Sequence, residues 1–386
     1  MSKTVFVQTV THYNAQLVEQ AVETLFSQLE APQMISSQTR ILLKPNILAK
    51  HPPEHAVTTH PIVVQAVIHA CVRRGAKPAN ILLADSSGGV YHPSQIKSFY
   101  KTCGFASLET SEGISLYTDC QSTVIQTING RVAKEFDIIN PALEADFIIN
   151  LPKYKTHVMT GMTAACKNMF GLVPGLKKSQ WHMRFPDKER FGHMLMDLLE
   201  VCPPQMAILD GIIGMEGDGP AGGTPRCAGV LMASEDMVNL DLAIAHMMGL
   251  APMRVPYLQA AYQRGLGDSA IDLSTVVGDL PVMVDWQLPR SYQGNSESCM
   301  DFADHIPKVF TPLIRKIESA IAPQPLVIPS LCIGCGKCKE ICPQDTISIV
   351  KGKANVHHKQ CIRCFCCHEV CPVKAIDIKS FSLFKL

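Results

Sequence analysis

CIGCGKCKEICP occupies Cys332–Pro343, and CIRCFCCHEVCP occupies Cys361–Pro372. Both runs follow one spacing, Cys-x2-Cys-x2-Cys-x3-Cys-Pro, and the second begins twenty-nine residues after the first. Such self-similarity marks a duplicated structural unit. Thiolates are soft ligands, and three of them on one tight turn can hold three corners of an iron–sulfur cubane. Zinc is the competing reading. Zinc sites of four cysteines usually pair two short knuckles across a gap, whereas here four cysteines crowd together and end in proline. The spacing therefore favours two [4Fe–4S] clusters. The second run carries five cysteines where a cluster uses four, and alignment of the repeats leaves Cys366 as the odd one.

About 55 residues, from Ile328 to about Ser382, resemble the bacterial dicluster ferredoxin family. The resemblance rests on the two cysteine runs and on the short strand that follows each Cys-Pro, TISIV after Pro343 and AIDIK after Pro372. In that family the fourth cysteine of each run reaches the other cluster. The resemblance thus implies Cys332, Cys335, Cys338 and Cys371 for one cluster, and Cys361, Cys364, Cys367 and Cys342 for the other. Clusters of this kind move one electron at a time, which implies an external electron donor or acceptor protein.

The remainder of the chain sets the context. It has 386 residues and sixteen cysteines, nine of them within Cys332–Cys371 and seven scattered. The scattered ones read as inert core or surface thiols. The N-terminus MSKTVFVQTVTHYN lacks the apolar run of a signal peptide, and no apolar stretch approaches the ~20 residues that span a bilayer. The expectation is a cytoplasmic protein with no membrane span, whose clustered thiols bind metal rather than form disulfides. The net charge is +1, and no basic stripe is interleaved with aromatics, so nucleic acid is not expected as a partner.

Residues 1–305 read as an α/β domain with a mainly parallel sheet and flanking helices. NAQLVEQAVETLFSQLE has helical spacing with Asn14 as N-cap, and Pro61 opens a second helix with Thr59 as the expected cap. RILLKPNI, NILLADSSGG, ADFIIN, MAILDGIIG and AGVLMAS are short apolar strands. LPKYKTH reads as a polar loop after its strand, and TVIQTINGRVAKEF as a hairpin excursion turning at Asn-Gly. An amphipathic segment over Ile306–Ile321 reads as a helix docking between domains, and three prolines in APQPLVIPS mark a linker. The division is then 1–305, a helix and linker over 306–327, and a small α+β ferredoxin-like domain over 328–386.

In α/β folds, ligand sites gather at strand ends. Lys153, Lys155, His157, Lys167 and Asn168 follow one strand, Lys44 and Asn46 end another, Asp85–Gly89 end a third, and Asp210 and Glu216 flank a fourth. The lysines and asparagines are candidates for holding a small anionic substrate. His157, Lys155, Glu216 and Asp210 are the acid–base candidates, His157 because its ordinary pKa suits proton transfer near neutrality. A solvated loop with scattered lysines competes with this reading. Gly217–Gly222 matches G-x-G-x-x-G, but Pro220 interrupts it and a strand follows, so a dinucleotide site is not expected.

ILLKPN, VTTHP, LADSSGG, INLPKYKTHVMTGMTAACKNMFGLVPG and ILDGIIGMEGDGPAGGTPR, in that order, resemble domain-of-unknown-function family 362, which often carries a dicluster ferredoxin tail. The large domain is also distantly similar to the nickel-pincer lactate racemase fold, from which no residue role is carried over. Together these features favour an iron–sulfur oxidoreductase passing electrons to a substrate or cofactor held by the N-terminal domain. The alternative is a non-catalytic carrier, or a maturation or docking factor for a partner redox enzyme.

Overall fold

A computed structural model describes residues 3–293 and 323–379. The chain begins with β1 (Val5–Thr9), α1 (Ala15–Gln28), β2 (Ile41–Pro45), α2 (Pro61–Arg73), β3 (Ile81–Leu83), α3 (Pro93–Thr102), α4 (Ala106–Glu112) and β4 (Ser115–Leu116). There follow β5 (Ser122–Gln126), β6 (Glu135–Ile139), α5 (Asn140–Glu144), β7 (Phe147–Leu151), β8 (Lys153–His157), β9 (Gly161–Thr163), α6 (Ala165–Asn168), α7 (Lys177–Arg184) and α8 (Lys188–Val201). β10 (Met206–Glu216), β11 (Thr224–Ser234), α9 (Met237–Met247), α10 (Pro256–Gln263) and β12 (Val276–Val277) complete the large unit. The small unit contains β13 (Gln324–Val327), α11 (Lys337–Ile341), β14 (Ile347–Val350), β15 (Lys353–Val356), α12 (Cys366–Glu369) and β16 (Ile376–Lys379).

The large unit is built on a ten-stranded sheet in the order β12-β1-β11-β10-β7-β2-β3-β4, with β8 and β9 branching from β10. It is mostly parallel; β11 runs antiparallel to both β1 and β10. Alternation along the central strands feeds two cores. Ile41, Leu43, Phe147 and Ile149 pack on one face, Leu42 and Ile148 on the other. Strands buried on both faces must be apolar throughout, which is why these segments read as continuous runs.

Local chemistry explains where the elements start. Asn14 accepts the Leu17 N–H and caps α1. The cap of α2 is His60, whose Nδ1 accepts the Ile62 N–H at 3.3 Å, and not Thr59. The Thr59 hydroxyl is spent elsewhere: it accepts the Asn46 N–H at 2.9 Å and donates to Leu151 O at 2.6 Å. The segment KYKTH, read above as a polar loop, is strand β8 and is buried along its whole length. Pro152 interrupts the ladder, ending β7, and a register shift of β10 between Asp210 and Met215 accompanies its pairing with β8, Lys153 opposite Asp210 and Lys155 opposite Met215.

The hairpin β5–β6 forms its own two-stranded sheet. Its turn is not tight: the Asp197 carboxylate accepts the N–H groups of Arg131, Val132 and Ala133 and holds a longer loop. In the small unit β13 pairs with β16, so Gln324–Val327 is a strand and not linker. Pro325 is tolerated because a two-stranded sheet has only edges. The boundary placed at Ile328 from proline content thus falls one strand late. The amphipathic segment Ile306–Ile321 lies outside the described residues. Among those described, no helix is long and apolar enough to cross a membrane.

The two cysteine loops have matching backbones built from different residues. Gly334 and Gly336 take φ of +67° and +80°; their counterparts Arg363 and Phe365 take +58° and +60°. A side chain there costs about 1–2 kcal/mol. Phe365 returns some of that by packing, buried, against Val158 of the large unit and Ile378.

Candidate functional site

Cys332, Cys335, Cys338 and Cys371 line one cavity of about 330 Å³. Cys342, Cys361, Cys364 and Cys367 line a second of about 330 Å³, with Cys366 also on its wall. The fourth cysteine of each run therefore stands with the first three of the other. Backbone N–H groups point at three of the sulfurs: Ala354 to Cys332 at 3.3 Å, Arg363 to Cys361 at 3.4 Å and Ala375 to Cys371 at 3.1 Å. Such bonds favour the thiolate, the form that ligates iron. Among the described residues no three His, Cys, Asp or Glu groups converge on a single ion position. Instead the sulfurs ring two volumes, an arrangement and donor set that fit iron–sulfur clusters.

A third cavity, of about 670 Å³, lies where the two units meet. The small unit contributes Ile341, Cys366, Glu369 and Val370 to its wall. Polar contacts fix the junction. Arg290 pairs with both Asp218 and Asp377, and Lys374 Nζ donates to Gly223 O at 3.1 Å. The His368 ring sits between Ile376 O at 2.6 Å and Asp218 O at 3.0 Å. At Gly222 a Cβ would come within 2.5 Å of His368 Nε2, so only glycine fits. The G-x-G-x-x-G loop is thus the β10–β11 turn and a docking surface. No helix follows it, and Pro220 lines the cavity.

The cavity is rich in donors. Lys155 Nζ donates to Asn46 Oδ1 and Val57 O, each at 2.7 Å. Asn46 in turn donates to Asn168 at 2.8 Å, and Asn168 to Asn150 at 2.7 Å, so an amide chain orients this wall. His157 Nδ1 accepts the Met159 N–H at 3.1 Å, which leaves the proton of the neutral ring on Nε2. That Nε2 stands 3.2 Å from Glu369 Oε1 without the alignment of a hydrogen bond. His182 Nδ1 has no partner either. The Lys167 ammonium lies 5.7 Å and 5.9 Å from the Phe170 and Phe191 ring centroids, and no protein oxygen among the described residues bonds it.

Burial sets the protonation states. It pushes Lys155 well below the usual lysine range, and it lowers Lys167 against the pull of Glu369. Burial, reinforced by Lys167, takes His157 down to about 4 and His182 to about 3. Burial brings Lys178 to about 7, although Asp85 opposes it. Glu369 moves the other way: burial favours its acid form, but His157, Lys167 and His182 hold it at about 2. The cavity thus presents neutral imidazole donors and cations facing one carboxylate. Buried polar groups left unpaired cost about 1–3 kcal/mol each, which a bound anion would recover.

Of the residues singled out in the sequence, Asn46, Lys155, His157, Lys167 and Asn168 line this cavity. Lys44 sits behind it, paired with Asp85 Oδ1 at 2.8 Å, and Gly171 crosses that pair so closely that a Cβ would lie 2.0 Å from the carboxylate. Lys153 and Asp210 belong to a separate buried knot. Lys153 Nζ bonds Asp210 Oδ2 at 2.7 Å and Tyr13 Oη at 2.6 Å, while Asp210 also accepts from Tyr13 and from the His60 N–H. Glu216 pairs with Arg226 at 2.9 Å outside the cavity. Sequence reasoning did not single out Lys178, His182, Cys366 or Glu369 as pocket residues. The first two lie on KKSQWHMR, which has the composition of a surface helix; the other two are hidden inside a metal motif. The Asp85–Gly89 strand end does supply Asp85, Ser86 and Gly88 to the wall.

Comparison with known proteins fits this architecture. The model of a family described as Domain of unknown function (DUF362) matches residues 41–246, and that of a 4Fe-4S dicluster domain matches residues 324–372. A protein of Synechocystis sp. described as thylakoid-associated is 35% identical over 260 residues, 65% of this chain and 76% of its own. Among solved structures, a Thermotoga maritima protein is 12% identical with a TM-score of 0.39, over 63% of this chain and 61% of that one. The lactate racemase apoprotein of Thermoanaerobacterium thermosaccharolyticum is 11% identical with a TM-score of 0.40, over 64% and 57%. The match thus spans less than two thirds of either solved structure.

Proposed function

The chain belongs to the DUF362 family and ends in a 4Fe-4S dicluster domain, and from that premise we propose that it is an oxidoreductase. A ferredoxin-type 4Fe-4S domain is an electron-transfer module. In this reading, electrons from an external donor protein pass through two [4Fe–4S] clusters to a small anionic substrate in the cavity between the units. Cys332, Cys335, Cys338 and Cys371 hold one cluster, and Cys361, Cys364, Cys367 and Cys342 the other. When bound, the clusters supply electrons singly. Lys167 neutralises the substrate's negative charge. The Asn46–Lys155 wall orients it, and the neutral His157 ring donates a hydrogen bond from Nε2 to the charge that develops on the substrate. The cytoplasm, which keeps thiols reduced, is the compartment that suits this chemistry.

One observation carries the reading: Cys366 borders both a cysteine-lined cavity and the donor-rich pocket, so one wall separates the second cluster site from the substrate site. Buried polar groups left without partners at that pocket also favour an enzyme over a docking module. The test is anaerobic titration of dithionite-reduced, reconstituted protein with small carboxylates and oxyanions, following cluster reoxidation. At least one should reoxidise wild type far faster than Lys167→Met. If none does, and His157→Ala alters no cellular phenotype, the catalytic reading fails. The ligand assignment is checked separately. Cys366→Ala should retain wild-type iron content and EPR signals, whereas Cys367→Ala should lose or degrade one cluster.

A further inference from the structure

The cavity of the first cysteines shares no lining residue with the pocket. Two large apolar side chains flank Cys332 and are open to solvent, Leu331 at 47% and Ile333 at 63% exposure, and Cys335 beside them is exposed. The β14–β15 turn packs on this loop. A Cβ on Gly334 would lie 2.3 Å from Gly352 O, and Lys353 Nζ donates to Cys332 O at 2.5 Å. That turn brings Lys351 and Lys353 to the edge of the apolar pair, and α11 adds Lys339 and Lys337, the latter also lining a groove with Lys50 and His51 of the large unit. All four are exposed, and none makes an ion pair with a described carboxylate. The acids of this unit do not balance them: Glu369 faces His157 and Asp377 faces Arg290, both turned toward the large unit, leaving Glu340 and Asp345 on the outside. A chain whose net charge is only +1 therefore concentrates positive charge around one apolar spot.

An apolar centre with a charged rim is the usual anatomy of a protein-docking site, and single-sign charge beside it steers encounter. We propose that Leu331 and Ile333, ringed by Lys337, Lys339, Lys351 and Lys353, form the docking surface for an acidic one-electron carrier protein. Each encounter oxidises the carrier by one electron and reduces the nearer cluster by one. The proposal rests on the reading that the small unit carries electrons. It needs no substrate in the pocket, so its test reads cluster reduction and not turnover.

The experiment is anaerobic stopped-flow reduction of the full-length, cluster-loaded chain by a reduced acidic plant-type ferredoxin, over a range of salt. The second-order rate should fall about tenfold or more from low to high ionic strength. The triple variant Lys337→Gln/Lys339→Gln/Lys351→Gln should lose about tenfold at low salt and most of its salt dependence, while the Lys→Arg triple keeps the wild-type rate. Dithionite should reduce all of them equally. Lys351→Glu alone, on the hairpin turn away from the cysteines, should lose about two- to threefold even if the triple variant assembles poorly. Equal rates for wild type and Lys351→Glu at low salt would overturn the proposal. So would variants that keep the carrier rate yet lose binding to phosphatidylserine vesicles, which would assign the rim to an anionic membrane instead.

Discussion

Lys153 and Lys155 sit two residues apart on one strand, and both are completely buried, yet their surroundings differ in kind. Lys153 ends in a closed knot where Asp210, Tyr13 and the His60 backbone satisfy one another. Lys155 ends on an amide and a carbonyl at the rim of a cavity, next to a lysine and two histidines with unused capacity. The contrast teaches that burial of a charge does not by itself mark a working site. What marks it is a deficit of partners. A knot that spends every lone pair on the protein holds the fold together. A wall that keeps donors in reserve awaits a ligand.

Breaking the knot should have the largest effect. Lys153→Ala leaves Asp210 buried and uncompensated, and should lower stability by about 3–5 kcal/mol in chemical denaturation. A loss under about 1 kcal/mol would erase the distinction between the two lysines. Lys167→Met should act mainly on binding. Lys167 makes no hydrogen bond to a described protein oxygen, so its loss should cost less stability than Lys153→Ala, while affinity for the anion falls by about ten- to a hundredfold, equivalent to about 1.4–2.8 kcal/mol, in equilibrium titration.

Acid should expose the same contrast. The unfolded imidazoles of His157 and His182 titrate near 6.5, whereas burial holds them at about 4 and 3 in the fold. The unfolded chain therefore binds protons first as pH falls. Their contribution is present above about pH 6.5 and is lost progressively through 4, and the double variant His157→Gln/His182→Gln should show a shallower loss over that window. Glu216→Gln should give the smallest response: no change in ligand affinity and under about 1 kcal/mol in stability, because its partner Arg226 lies near the surface. A measurable loss of ligand affinity in that variant would extend the site beyond the cavity.

Legibility in the sequence followed the range of the interactions. The cysteine repeat could be read because spacing alone encodes a tight turn, and the central strands because two-sided burial leaves continuous apolar runs. KYKTH was opaque. Its five residues look solvated, and only the interruption at Pro152 and the bulge in the distant strand β10 make them a buried strand. Within that set, Lys155 and His157 reached the cavity and Lys153 did not. The carboxylate that claims Lys153 is fifty-seven residues away along the chain, and Tyr13 is 140 residues away. Glu369 was unreadable for another reason. In sequence it is filler between Cys367 and Cys371; its role exists only once the two units meet.

Helix α12 is a single turn, Cys366–Glu369. Its first residue borders a cysteine-lined cavity and its last faces the pocket, about one helical pitch apart. On the proposed reading, maturation and recognition are tied to the same four residues: iron and sulfide installed behind this turn would also set the far wall of the binding chamber. Oxygen damage that strips the metal would then blunt ligand recognition while the large unit is still folded, and loss of selectivity would be an early sign of a spoiled molecule.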